Sequence, residues 1–462
     1  MTARIRRLPW WGSAILAVLL LAGCSGTDDA SLSVRLTYPQ DGSAATASSA
    51  SEADPAARPL GAGEARPNYL KIPDNRILIR VLAPHIATPI EAWFSRSAGS
   101  GEISGIPPGD RIAVEVDEYD NTALNLGTNA PLLGRGAAHG IALSPGESRT
   151  VAVPMYDKGT MVTIAGQLGL LGDSVNEVLG NDSLLNQPTD LEITEQDELL
   201  ILDYSNRKIR RLDRFGYLDT IAGNGSSVEI DWVNAVLSGL ASPQSIACDS
   251  TGTIYVACAT SNKIKKISNG VISTYAGTGI SMSSVAGTPA IEADINAPYA
   301  IAYSKIDGLF FVELTVGNIR LIDLDGILQD RPDQSEYYGG QTGPITSVSR
   351  ISSPDGLFLL VSKKSLNEFN SYYGGLRHSF SGGLGFWPEG ASVFRGGKIF
   401  FADSGGYRIY QNIIDTDQYT EFVSYSGGLV APQDVAVDSR GNVYIADTGN
   451  HAIRMVVGGA LP

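Results

Sequence analysis

The residues of this 462-residue chain that could do chemistry are few and widely scattered. There are three cysteines, Cys24, Cys248 and Cys258, and four histidines, His85, His139, His378 and His451. A zinc centre needs three or four such ligands converging on one point. His85 and His139 fall in the N-terminal part, His451 sits at a recurring place in a repeat, and only His378 is left over. A histidine–zinc cluster is therefore excluded. No Gly-x-Ser-x-Gly elbow, phosphate loop or Cys-x-x-Cys pair occurs. The carboxylates are stronger candidates. Asp190 and Asp434 each stand two residues after a proline, Pro188 and Pro432, and Glu389 directly follows Pro388. Brought together, the three would form an oxygen-rich arc for a hard cation such as calcium. Whether they meet depends on the elements that carry them.

Cys24 belongs to a different chemistry. A basic start with Arg4, Arg6 and Arg7 leads into an apolar run from Ala14 to Leu21. That run is shorter than the roughly 20 residues of a spanning helix and has the form of a secretory signal. It ends in Leu21-Ala22-Gly23-Cys24, which resembles the lipobox of bacterial lipoproteins. The resemblance implies cleavage after residue 23, diacylation of the Cys24 sulfur and anchoring to a membrane, where two acyl chains hold stably. Ser25, rather than aspartate, implies the outer membrane of the cell envelope if the source is Gram-negative. Loss of residues 1–23 removes three arginines and no acid, moving the net charge from −15 to −18. Such an acidic chain is not a nucleic-acid binder.

From 24 to 67 the composition is Ser, Ala, Gly, Asp and Pro, as expected of a low-complexity tether, although 31–39 alternates and could form a first strand. From 68 to 157 short alternating runs, such as Ile77, Ile79, Val81 and Ile112, Val114, Val116, predict a small β-sandwich. The stretch GEISGIPPGDRIAVEV, Gly101 to Val116, resembles the carboxypeptidase-regulatory or transthyretin-like sandwich family, whose modules are structural.

From 160 to 462 the chain repeats itself. The last copy, APQDVAVDSRGNVYIADTGNHAIRMV from Ala431 to Val456, resembles the NHL repeat, and copies at Gln187 and Ser242 follow the same plan, with Cys258 in place of the recurring aspartate. Marker prolines Pro188, Pro243, Pro298, Pro344, Pro388 and Pro432 are 55, 55, 46, 44 and 44 residues apart. A short strand ending in glycine recurs at Gly166, Gly223, Gly277, Gly339, Gly382 and Gly427. The fold class expected is all-β: a six-bladed NHL-type β-propeller preceded by a small β-sandwich. Because the first fourth-strand signature precedes any full blade, Met161–Gly166 must complete the last one and close the ring.

In such a ring Asp190, Asp434 and Glu389 come from neighbouring blades at one channel mouth. Asp203 and Asp447, with Asn206 and Asn450, read as turn-stabilising residues. Cys248 and Cys258 lie on one hairpin. With Asp249 facing Ile254, they fall about three pairs out of register and remain buried free thiols. The tyrosine pairs Tyr337-Tyr338 and Tyr372-Tyr373 fit packing between blades. NHL propellers commonly bind proteins. The resemblance therefore implies a binding or scaffold module for an envelope protein or glycan, without catalysis or cofactor. The alternative is a calcium-dependent enzyme of lactonase or lyase type working at the channel mouth.

Overall fold

In a computed structural model the chain is all-β, with no α-helix among the described residues. These are 29–37, 58–59, 76–95, 100–120, 131–313, 318–330, 347–353, 356–363, 368–373, 376–381, 387–394, 398–413 and 419–461. Cys24 and the signal segment lie outside them.

The N-terminal strands are β1 (Ala30–Thr37), β2 (Arg58–Pro59), β3 (Arg76–Leu82), β4 (Ile90–Ser95), β5 (Ser100–Ile106), β6 (Gly109–Tyr119), β7 (Leu132–Leu143), β8 (Ser148–Asp157) and β9 (Thr160–Ala165). Seven of them form one sheet in the order β4-β3-β6-β7-β8-β1-β5. The strands expected to form a sandwich over 68–157 are thus hydrogen-bonded, with β1, into one seven-stranded order. The joint is short: Gly134, Gly136 and Arg135 of β7 pair with Asp157, Met155 and Tyr156 of β8. Gly136 is required there, since a Cβ would stand 2.3 Å from the Pro154 carbonyl. The sheet still encloses one core, because alternation sends Leu32, Val34, Ile77, Ile79, Val114 and Val153 to the same interior. β1 pairs parallel with β8 and antiparallel with the edge strand β5. The segment expected as a tether, 24–67, therefore contributes a sheet strand, and its Arg58–Pro59 pairs with β9.

Six further sheets of four or five strands make a propeller-like ring. Their innermost strands are Pro188–Ile193, Pro243–Cys248, Pro298–Ser304, Ser347–Ser353, Pro388–Phe394 and Asp434–Val437, each touching the next and the last touching the first. Five are blades whose packed interiors are described. The sheet beginning at Ser347, which keeps little of the repeat, is described by its backbone only. The expectation of six repeat-built blades is corrected to five on this ground. Neighbouring blades share apolar cores; Ala165, Leu191, Ile201, Ala436 and Ile453 fill the one at the closure. That closure is made by β9, which pairs with Ala452–Val456 in the register Met161↔Val456 to Ala165↔Ile453.

The repeat residues have definite mechanical work. After the second strand of a blade, Arg207, Asn262, Tyr407 and His451 each take a left-handed conformation, with φ near 50° to 60°. A glycine packs against three of these turns. At Gly166, Gly223 and Gly277 a Cβ would stand 2.4, 2.2 and 2.2 Å from the carbonyl oxygens of His451, Arg207 and Asn262. The recurring carboxylate pins the entry to the first strand: Asp203 Oδ1 accepts Asn186 N–H at 2.8 Å and Asp447 Oδ1 accepts Val430 N–H at 2.8 Å. Glu313 Oε1 accepts Asn296 N–H at 3.0 Å in the same way. Where Cys258 replaces the aspartate, Glu229 arrives from a loop and accepts Ala241 N–H at 3.2 Å.

The sheet and the ring are joined through Asp117. It is buried and receives Arg80 Nη1 at 2.6 Å, Arg135 Nε at 2.5 Å and, from the last blade, Arg440 Nη2 at 2.9 Å. Arg440 also pairs with Glu115 at 2.7 Å, and Arg135 Nη1 donates to Asn442 Oδ1 at 2.7 Å. Burial alone would raise the Asp117 pKa, but Arg440, Arg135 and Arg80 hold it well below the usual carboxylate range. A carboxyl depressed in this way adds stability above its unfolded pKa, and that stability is lost as pH falls through the folded value.

Two outcomes follow for stability in urea. Gly277→Ala, at φ +94°, should lower unfolding free energy by more than about 1 kcal/mol. Asp117→Ala should lower it by about 3–5 kcal/mol, since Arg135 is left buried with no carboxylate partner. An unchanged urea midpoint in either variant would contradict the role given to that residue.

Candidate functional site

In four of the blades the first strand enters the ring channel after a sharp reversal. Gln187, Ser242, Ala297 and Ala431, the residues before Pro188, Pro243, Pro298 and Pro432, all have positive φ, between 40° and 54°. This strained entry was not foreseen from the sequence, because a residue before proline ordinarily stays extended. It turns the side chain two residues after the proline toward the neighbouring blade.

That position laces the ring. Asp434 Oδ2 accepts Leu191 N–H at 2.8 Å, Asp190 Oδ2 accepts Ile246 N–H at 2.5 Å, and Ser245 Oγ accepts Ile301 N–H at 3.2 Å. Each bond crosses from one blade to the next. On the other side of Asp434 lies Gly390, where a Cβ would fall 1.8 Å from Asp434 Oδ1. Asp190 and Asp434 are also hydrogen-bonded to each other. Two carboxyls in contact cannot both ionise readily. Burial first, and then the charge of Asp190, pushes Asp434 far up. Burial likewise raises Asp190, opposed by its hydrogen bonds from Asp434, Ile246 N–H and Ser245. Burial and mutual proximity thus favour a state in which one of the two carboxyls is neutral.

Two cavities flank this pair. One, of about 430 Å³, is lined by Glu192, Thr194, Glu195, Asp197, Asp249 and Ser439, among others. The second, of about 260 Å³, is lined by Gln187, Tyr204, Tyr299, Glu389, Gln433 and Thr448. Asp190, Ser245 and Asp434 border both, so they form the partition between them. The structure therefore brings Asp190 and Asp434 into contact and places Glu389 on the wall of the second cavity. There Glu389 accepts the Ser404 hydroxyl at 3.0 Å.

This arrangement does not fit calcium. A hard cation needs several free oxygens pointing to one centre, whereas these carboxyls bind backbone N–H groups, a hydroxyl and each other. Among the described residues no group of three or more His, Cys, Asp or Glu side chains has the layout of a metal site. All three carboxylates expected at the channel mouth, Asp190, Asp434 and Glu389, line the second cavity together.

Cys248 and Cys258 are buried free thiols. Their register differs by one from the expected pairing: Cys248 faces Ile254 and Cys258 faces Pro243, with a bulge between Pro243 and Ser245. Burial and the nearby Glu229 carboxylate push the Cys258 thiol far up, so it is no nucleophile. His451 Nδ1 accepts Gln187 N–H at 3.1 Å across the closure. His139 lies against Gly216 at the junction of sheet and ring. The side chains of His378, Tyr372 and Tyr373, and the whole of Tyr337 and Tyr338, lie outside the described residues.

Residues 429–454 match the NHL repeat family. The ring is an NHL-type β-propeller. No curated protein sequence matches the chain. Among solved structures, the propeller-containing chain is similar to an auxiliary nutrient binding protein from Bacteroides thetaiotaomicron, with 11% identity, 88% of this chain and 96% of that one covered, and a TM-score of 0.46. It is similar as well to a protein of unknown function from the same organism, at 11% identity over 82% and 90% of the two chains and a TM-score of 0.48. Virginiamycin B lyase from Staphylococcus aureus is similar at 15% identity over 60% and 83%, with a TM-score of 0.41.

The shared proton predicts a pH signature for the propeller. A carboxyl whose folded pKa is raised binds more proton folded than unfolded, so its contribution to stability falls as pH rises through the window above about 3.9. Asp434→Asn cannot ionise, yet it can still accept Leu191 N–H and donate to Asp190. Its thermal midpoint should match the parent's at pH 5 and drop less by pH 8. Equal drops in both proteins would contradict the shared proton.

Proposed function

We propose that the protein is a lipid-anchored, extracytoplasmic binding module. In this reading the propeller takes an envelope protein or glycan as ligand and carries out no turnover. The observation that carries this reading is the condition of the channel carboxyls. Asp190 and Asp434, the groups best placed for acid–base or metal chemistry, are tied to the backbone of the next blade. The 430 Å³ cavity beside them supplies a polar, concave site of the size small ligands occupy. The acidic balance of the chain supports the absence of nucleic acid among its partners.

Anchoring rests on the Leu21-Ala22-Gly23-Cys24 sequence. Expressed whole in a Gram-negative host, the protein should gain acyl mass and sediment with membranes, and Cys24→Ser should abolish both. Purified protein should contain no stoichiometric metal, and chelator should leave its thermal midpoint unchanged. A tightly held metal at one per chain would instead favour the enzyme reading. Envelope glycan fragments or a membrane partner should raise the midpoint, and Ser439→Trp, which narrows the larger cavity, should suppress the shift for a small ligand.

A further inference from the structure

We infer that Cys24 is a short leash, and that it holds one particular end of the seven-stranded sheet against the lipid surface. The inference rests on the lipid-anchor reading and adds to it a distance and an orientation. β1 begins at Ala30 and is locked from its first residues: Ala30 pairs with Ile106, Ser31 with Ser148, and Ser31 N–H reaches Glu147 O at 2.9 Å. Only five residues, Ser25 to Asp29, separate Cys24 from that strand. Fully extended, such a span covers about 20 Å. A tether running to residue 67 would have let the folded part drift several times farther from the membrane. The low-complexity stretch lies after β1, so it lengthens nothing between anchor and fold.

The tethered end can be named. At the Ala30 end of the sheet lie the β7–β8 turn at Ser144–Glu147, Pro107 and Pro108, and the loop 83–89, whose His85 ring packs at Gly109. Pro84, His85, Ala87 and Thr88 are exposed there, and the nearby charges Asp29, Asp110, Arg111, Glu147 and Arg149 sum to a net negative. Among the described residues this rim has no basic patch to attract anionic lipid, so the leash keeps it at the surface. The opposite end carries Arg76, Ser95 and Tyr119, paired across β3, β4 and β6. It lies about 30 Å away along β6, at roughly 3.3 Å per residue. The propeller runs alongside the sheet. Its last blade meets Arg135 near one end, and its first blade meets Gly140 through Leu179 near the other. The ring is therefore held at the membrane too, and its ligand must be a molecule reachable at the bilayer surface.

The test uses the full acylated chain on phosphatidylethanolamine–phosphatidylglycerol vesicles that carry a headgroup-attached fluorescence quencher. A fluorophore is placed at Thr88→Cys on the near rim or at Ser95→Cys on the far one, both exposed positions. Cys248 and Cys258, being buried, stay unlabelled. Quenching at position 88 should be at least twofold that at position 95, at low and high salt alike. A twenty-residue Gly-Ser insertion between Thr27 and Asp28 should bring the two to equality. Equal quenching in the acylated chain without the insertion overturns the leash and leaves the anchor standing. Absence of acyl mass on Cys24 overturns the anchor reading itself, and the leash with it.

Discussion

Everything in the ring depends on one pairing, that of β9 with the strand Ala452–Val456. A row of blades has two open ends, and each would present unpaired N–H and C=O groups. Joining the first strand of the ring region to the last blade turns two edges into one ordinary sheet, with Met161 opposite Val456 and Ala165 opposite Ile453. The last and first blades are also tied at the Thr448–His451 turn. His451 Nδ1 receives Gln187 N–H, and Thr448 donates its hydroxyl to Pro188 O at 2.6 Å. The apolar residues between the last and first blades, including Ala165, Leu191 and Ile453, can be buried only once β9 is in place. Closure and core formation are therefore one cooperative event.

The acidic lacing adds a constraint of another kind. Side chains two residues after the marker prolines could have been left to solvent, and an arc of free acids would then have faced the channel. Instead Asp434, Asp190 and Ser245 each take a backbone N–H from the next blade. Buried acceptors satisfied this way contribute stability, whereas unsatisfied ones would cost it. The repulsion between Asp190 and Asp434 is removed by one shared proton. The residues that look most like chemistry in the sequence are fasteners, and the polar space on either side of them is what remains for a ligand.

The periodicity was legible because the fold writes it in residues with no substitute. Gly166, Gly223 and Gly277 recur where a carbonyl approaches too closely for any side chain, and Pro188, Pro243 and Pro298 each open a channel-lining strand. The pairing order that makes β9 the closing strand could be read from the order of these markers alone. Other features left no such trace. The rescue of Cys258 by Glu229 joins residues whose relation is set only by folding, so the missing aspartate reads as a defect. The seven-stranded order depends on three residue pairs at the end of β7 and β8, which alternation along each strand does not encode. The one-residue slip at Cys248 is set at the turn, where Asp249 N–H bonds Thr253 O and Gly252 N–H bonds Asp249 O, a geometry that hydrophobic pattern does not encode. For the site, the sequence brought Asp190, Asp434 and Glu389 to the channel. It could not say that two of them would touch and share a proton while the third turned to Ser404.

The sheet is more than a neighbour of the ring. β8 ends at Asp157 and β9 starts at Thr160, so only Lys158 and Gly159 connect the last strand of the sheet to the strand that closes the propeller. Lys158 N–H bonds Leu133 O on the sheet side at 2.8 Å, and Gly159 N–H bonds Val457 O on the ring side at 2.7 Å. With so short a link, the position of β9 is set by the position of β8. The Asp117 cluster fixes that same geometry from the other direction, since Arg135 of β7 and Arg440 of the last blade converge on one carboxylate. An unpaired arginine in that interface would be expensive, so docking is favoured only in the arrangement that also seats β9. The sheet thus acts as a clamp on ring closure, and a force applied at its β1 end is passed to the propeller through rigid strands.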